Sequence, residues 1–116
     1  MRLIIRKKTD NELENSLITP TTTKTEFKTF LTSVLKQASS EEKESLFLGG
    51  LKCHNKPSDD FLNMSIMEQI IVDFLRNNEF PKKVHIICDS SESVRRHKQV
   101  YNYRFAETKS DIMHEN

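Results

Sequence analysis

Ser65-Ile66-Met67-Glu68-Gln69-Ile70-Ile71-Val72-Asp73-Phe74-Leu75-Arg76-Asn77-Asn78 is followed, past Pro81, by Lys82-Lys83-Val84-His85-Ile86-Ile87-Cys88, and this stretch decides the fold. In its first part Ile66, Met67, Ile70, Ile71, Phe74 and Leu75 recur at helical spacing and make one apolar face. Ser65 and Glu68 have the spacing of a capping box, so the helix is expected to start at Ser65. Asn77-Asn78 ends it, and Pro81, which has no N–H, prevents its continuation. The second part alternates. Val84, Ile86 and Cys88 face one way and His85 and Ile87 the other, as in a strand. Asp89-Ser90-Ser91 then turns the chain into another helix, with Val94, Tyr101 and Phe105 at core-like spacing.

Working upstream, Ser45-Leu46-Phe47-Leu48 is a compact apolar run stopped by Gly49-Gly50, which reads as a buried strand ending in a turn. Leu51 to Asn63, with Asn55, Pro57 and Asp59-Asp60, reads as a loop of about thirteen residues, unusually long for a compact domain. Phe27, Phe30, Leu31, Val34 and Leu35 predict a helix from Lys24 to Gln37, capped by Thr23 with Glu26. Ser39 with Glu42 has the same spacing and is expected to open a turn. Leu3-Ile4-Ile5, between Arg2 and Arg6, is a short strand; Thr9 to Thr23 is mostly loop. Strand and helix therefore alternate three times. Such alternation implies parallel strands, right-handed crossovers and a small three-layer α/β domain. Residues 1–107 are expected to form this single domain, and 108–116 a C-terminal tail.

The composition fits one such domain. With 116 residues, 35% of them hydrophobic, the chain can fill one core and hardly two. Two Gly and three Pro exclude collagen-like and Gly/Pro-rich low-complexity character, and seven Phe argue against a wholly disordered chain. Eighteen basic residues oppose seventeen acidic ones. Cut after Ser58, the halves hold ten basic and seven acidic, then eight and ten, so neither is a nucleic-acid-binding arm or an acidic tail. Two cysteines, Cys53 and Cys88, are too few for a disulfide scaffold. Leu3-Ile4-Ile5 is too short for a signal peptide, and no run approaches a membrane helix. A cytoplasmic protein without membrane attachment is the expectation.

Candidate chemistry follows from topology. Ligands of open parallel sheets bind beyond the C-terminal ends of the strands. Gly49, Gly50, Leu51 and Lys52 leave one strand there, and Asp89, Ser90 and Ser91 leave another. Both segments lead to helix N-termini, whose N–H groups favour anions such as phosphate. Gly49-Gly50 equally suits a simple tight turn, and Ser90 a simple cap. There is no P-loop and no GxGxxG. Cys53-His54 and His85 with Cys88 prompt a test for zinc, but the latter pair points to opposite strand faces, so no metal or other cofactor is expected. Cys53 beside His54 is a conceivable nucleophile, but sequence neighbours do not usually place nucleophile and base in productive geometry, and none is assigned there. Asp59-Asp60 reads as solvated loop acid, and no catalytic residue is assigned. Arg95-Arg96-His97-Lys98 with Tyr101, Tyr103 and Arg104 is the strongest basic–aromatic cluster. It suits RNA phosphates and bases, or equally a solvated helix face.

From Ser45 to Phe105 the chain resembles the C-terminal half of macro domains, the ADP-ribose-binding α/β modules. The likeness lies in Ser45-Leu46-Phe47-Leu48, Gly49-Gly50, the helix Ile66 to Asn77, Pro81 to Asp89, and the helix carrying Tyr101. It implies a Gly-containing loop, here Gly49 and Gly50, that wraps a diphosphate. Leu51-Lys52-Cys53-His54 departs from the family's Gly-rich loop, and its Asn-containing N-terminal segments have no counterpart. The resemblance thus implies a member without hydrolase activity. The expected function is binding of a nucleotide-like or phosphorylated ligand of the ADP-ribose type. The alternatives are a protein-interaction or regulatory protein, including a homodimer, and then an RNA-binding module.

Overall fold

The computed structural model describes residues 2–9, 24–51 and 57–105, with side chains from Phe27 in the second segment and from Asp60 in the third. In chain order the elements are β1 (Leu3–Lys7), α1 (Lys24–Ser40), β2 (Ser45–Gly49), α2 (Pro57–Asn77), β3 (Lys83–Cys88) and α3 (Ser91–Phe105). The strands form one parallel sheet in the order β1-β3-β2. The chain is thus a small α/β domain with three parallel strands and three helices, as the alternation implies. The expected tail at 108–116 lies outside the described residues, as does most of the Thr9–Thr23 segment.

Register explains the burial. Leu3 pairs with Val84 and Ile5 with Ile86, while Leu46 and Leu48 meet Val84 and Ile86 from the other side. These residues share one sheet face and, with Cys88, form a continuous core with Leu31 and Leu35 of α1, Met67, Ile71, Val72 and Leu75 of α2, and Tyr101 and Phe105 of α3. Ile86 is fully buried, and Leu46, Ile70 and Phe74 pack on the cluster half-buried, as their spacing predicts. All three helices contribute to this one face, and α2 lies between α1 and α3. Ile4 and Ile87 are buried on the opposite face, outside that cluster. No second helical layer occurs among the described residues.

Two helix boundaries differ from expectation. α1 continues to Ser40, three residues past the expected Gln37, and the turn expected from Ser39 to Glu42 closes its end. There the Lys43 N–H donates to the Ala38 carbonyl (3.0 Å) and the Glu42 N–H to that of Ser39 (3.1 Å). This pair of bonds is a Schellman ending, and its left-handed residue is Glu42, with φ 52°. α2 begins at Pro57, which shortens the expected Leu51–Asn63 loop. Proline suits a first helical turn because its missing N–H would have no partner there, and Asp60 in that turn complements the helix dipole. Ser65 therefore lies inside α2, not at its cap. It is buried, and its hydroxyl accepts a 2.6 Å hydrogen bond from Arg104.

Arg2 fastens the start of β1 to the end of α2. Its guanidinium donates to the carbonyls of Asn78 (2.9 Å), Glu79 (2.9 Å), Pro81 (2.7 Å), Lys82 (3.3 Å) and Leu75. Partial burial lowers the pKa of Arg2 from its ordinary value, opposed by nearby Glu79. The planar fork matches carbonyls that diverge where a helix ends and a turn begins.

Candidate functional site

Because β2 and β3 are adjacent and parallel, Gly49-Gly50-Leu51 and Asp89-Ser90-Ser91 leave the sheet side by side. The topology brings together these six predicted site residues; Lys52 lies outside the described residues. Gly50 extends the β2–β3 ladder through a 2.7 Å bond from its N–H to the Ile87 carbonyl. Neither glycine has a positive φ. Gly50 is required by packing: a Cβ there would sit 2.5 Å from Cys88 Sγ and 3.3 Å from Ile86 Cγ2. Asp89, Ser90 and Ser91 are exposed, and Ser90 Oγ accepts the Ser93 N–H at 3.2 Å, capping α3 as its residue type suggests.

The backbone of Leu51 is held from both sides by α3. Its N–H donates to His97 Nε2 at 3.0 Å, and its carbonyl accepts a hydrogen bond from the Ser93 hydroxyl. A backbone N–H can only donate, so Nε2 is the acceptor and the imidazole proton sits on Nδ1. That nitrogen donates to Glu68 Oε2 on α2 at 2.8 Å. Both side chains are fully buried. Burial holds the His97 pKa down to about 4 and raises that of Glu68 well above the ordinary carboxylate range. Glu68 Oε1 is buried without a hydrogen-bond partner. A carboxylate orienting an imidazole is also the arrangement of a general base. Here, however, the outer nitrogen is engaged by a backbone amide, so the cluster positions the β2 exit and offers no base to a substrate.

This network corrects the solvated reading of the Arg95–Lys98 cluster. His97 is core, and Arg96 pairs with Glu92 (3.2 Å) and with Asp60 (3.7 Å). Asp60 is itself buried, on the first turn of α2, and not a solvated loop acid. Arg95 pairs with Glu92 at 2.6 Å, and these two arginines hold the Glu92 carboxyl below its usual pKa, hydrogen bonding from Arg95 first. The sequence carried a signal for the missed pair. Ser93, His97 and Tyr101 repeat every four residues on α3, and Glu68 falls between Met64 and Val72 on α2. Each is a polar residue within a buried stripe.

On the opposite sheet face, Phe47 stacks on His85 at 4.8 Å, and Arg6 Nε donates to His85 Nδ1 at 3.3 Å. Cys88 is fully buried in the core cluster, a small core residue as expected. Cys53-His54 lies outside the described residues, and no group of three or more metal-ligating side chains occurs among those described. An open groove of about 610 Å³ runs between α1 and α2 over Ile70 and Phe74, with Lys36 and Asp73 in its lining. None of the predicted site residues lines it.

Exposed large apolar side chains gather elsewhere. Phe61 and Leu62 on α2 are 37% and 46% exposed, and Tyr103 on α3 is 78% exposed. Phe61 and Tyr103 meet edge to face at 5.5 Å. This aromatic pair joins the two helices that Glu68 and His97 lock together beneath.

The chain matches no family model, no curated protein and no solved structure. Fold and site define a small parallel α/β domain whose strand-end loop is pinned by a buried acid–imidazole pair. No helix among its described residues is long and apolar enough to cross a membrane.

Proposed function

We propose that the chain is a non-enzymatic protein-interaction domain that binds through the α2–α3 face. The observation that carries this reading is the exposed Phe61–Leu62–Tyr103 patch. Contiguous apolar side chains in water are unfavourable unless a partner covers them, and aromatic residues dominate the centres of protein interfaces. The rigid helix pair beneath reduces the ordering cost of binding. Photo-crosslinking in cells tests this. A photoreactive residue at position 103 should give protein adducts, whereas one at the exposed Glu41, beyond α1, should not. Equal yields at both positions would end the proposal.

The ligand reading is retained as a second proposal because Gly49–Leu51 and Asp89–Ser91 converge on adjacent strand ends. A nucleotide-like or phosphorylated ligand of the ADP-ribose type, as the macro-domain resemblance implies, would meet the first turn of α3 there. The Leu51 amide and carbonyl are already engaged, so such a ligand would depend on the Ser91 and Glu92 N–H groups. Chemical-shift mapping with ADP-ribose and with inorganic phosphate tests it. Shifts confined to Gly49, Gly50, Ser90 and Ser91 support this reading, and unperturbed amides at millimolar ligand refute it.

A further inference from the structure

We infer that the Phe61–Leu62–Tyr103 face is a self-association surface, occupied by a second copy of this chain whose α3 runs antiparallel to the first. This rests on the interaction reading above and names its partner. Glu92, Arg96, Gln99 and Tyr103 fall at i, i+4, i+7 and i+11, so they share one stripe of α3. Acid stands at the start of this stripe and the aromatic ring at its end, with a guanidinium and an amide between. Two such stripes laid antiparallel place Glu92 against Tyr103 of the second copy, and Arg96 against Gln99. The tyrosine hydroxyl can then donate to a carboxylate, and the arginine guanidinium can donate to the glutamine amide oxygen. Opposite ends of the two helix dipoles also meet. The stripe is complementary to itself.

Charge and size agree. A net charge of +1 leaves little repulsion between copies. α2 and α3 contain 21 and 15 residues. At a rise of ~1.5 Å per residue and a width of ~10 Å per helix, they present a face of about 540 Å² per copy, on the order of 1,100 Å² for the pair, which clears the ~1,000 Å² of a specific interface. RNA is the weaker occupant. A net charge of +1 gives no cationic excess for phosphates, and Leu62 adds an aliphatic side chain where a base would stack.

Sedimentation equilibrium of the full chain from about 5 to about 200 micromolar should reveal a monomer–dimer equilibrium. Leu62→Glu and Tyr103→Glu should each weaken it by roughly thirtyfold or more, the effect of losing an interface anchor. Phe30→Glu, on α1, should leave it unchanged. Circular dichroism checks each variant, and Tyr103→Ala replaces any that loses its helices. A single-chain mass throughout, or a dimer that survives both Leu62→Glu and Tyr103→Glu, overturns the proposal. If the chain stays monomeric while position 103 still forms adducts in cells, the partner is a different protein and only the second-copy assignment falls. If neither is seen, both fall. A monomer that binds labelled single-stranded RNA through Tyr103 overturns it in favour of nucleic acid.

Discussion

Placing a methyl group on Gly50 should destabilise the domain, and removing the Cys88 sulfur should relieve most of that loss. The Gly50 Cβ position lies 2.5 Å from Cys88 Sγ, about an ångström inside ordinary contact; the next neighbours are Ile86 Cγ2 at 3.3 Å and Cys88 Cα at 3.4 Å. Gly50→Ala must therefore turn the thiol out of a fully buried position or part β2 from β3. Overpacking of this kind costs about 1–3 kcal/mol. Cys88→Ala alone removes a buried sulfur and costs about 1 kcal/mol. In the double variant the nearest contact relaxes to 3.3 Å, tight but tolerable. The two losses should then fall short of additivity by about 1–2 kcal/mol. Urea unfolding of wild type, both single variants and the double variant supplies the cycle. Additive losses would show that Gly50 is needed for its backbone, or for a ligand, and not for the space beside Cys88.

Arg2→Lys should cost about 2–4 kcal/mol in urea unfolding, because an ammonium cannot span the five carbonyls that the guanidinium reaches; a change under about 0.5 kcal/mol would refute the carbonyl cage. Glu42→Gly should stabilise by about 1 kcal/mol, since glycine adopts φ 52° without steric cost, and an unchanged melting temperature would contradict the Schellman ending. His97 and Glu68 act oppositely on stability across pH. The His97 pKa is lowered to about 4, so its contribution is present above the ordinary histidine value and is lost as pH falls toward 4. The Glu68 pKa is raised, so its contribution is present below the ordinary glutamate value and is lost as pH rises through the folded pKa. In Glu68→Gln, stability should therefore rise by up to about 3 kcal/mol between pH 4 and 6.5, relative to Glu68→Gln/His97→Gln. Matching pH profiles for the two variants would mean that His97 is not held neutral by burial.

The strands and the bodies of the helices were legible because their signal is periodic burial. Val84, Ile86 and Cys88 alternate, Ile71 and Leu75 recur at one turn, and each lands in the core. Boundaries were harder because the residues that mark them are ambiguous. Pro57 breaks a helix in its interior and starts one at its first turn, and only the partners of the preceding segment decide which. Ser65 with Glu68 imitates a capping box, yet both side chains face α3, where Arg104 and His97 meet them. His97 was obscured by its charged neighbours. Its burial follows from its distance to Tyr101, whereas its partner Glu68 is 29 positions away in sequence and only tertiary contact joins them.

The central strand of the sheet is the last to be made. β1 and β2 each pair only with β3 in the described sheet, and β3 spans Lys83–Cys88. During synthesis, the first two strands must wait with exposed edges until residue 88 has left the ribosome, and then pair in one late event. Such delayed, long-range pairing slows folding and leaves unpaired strands open to aggregation. Arg2 shares this timing, since its carbonyls belong to Leu75, Asn78, Glu79, Pro81 and Lys82 and emerge just before β3 does. Arg2 can thus hold β1 beside the gap that β3 will fill, so that strand is in place when its partner arrives.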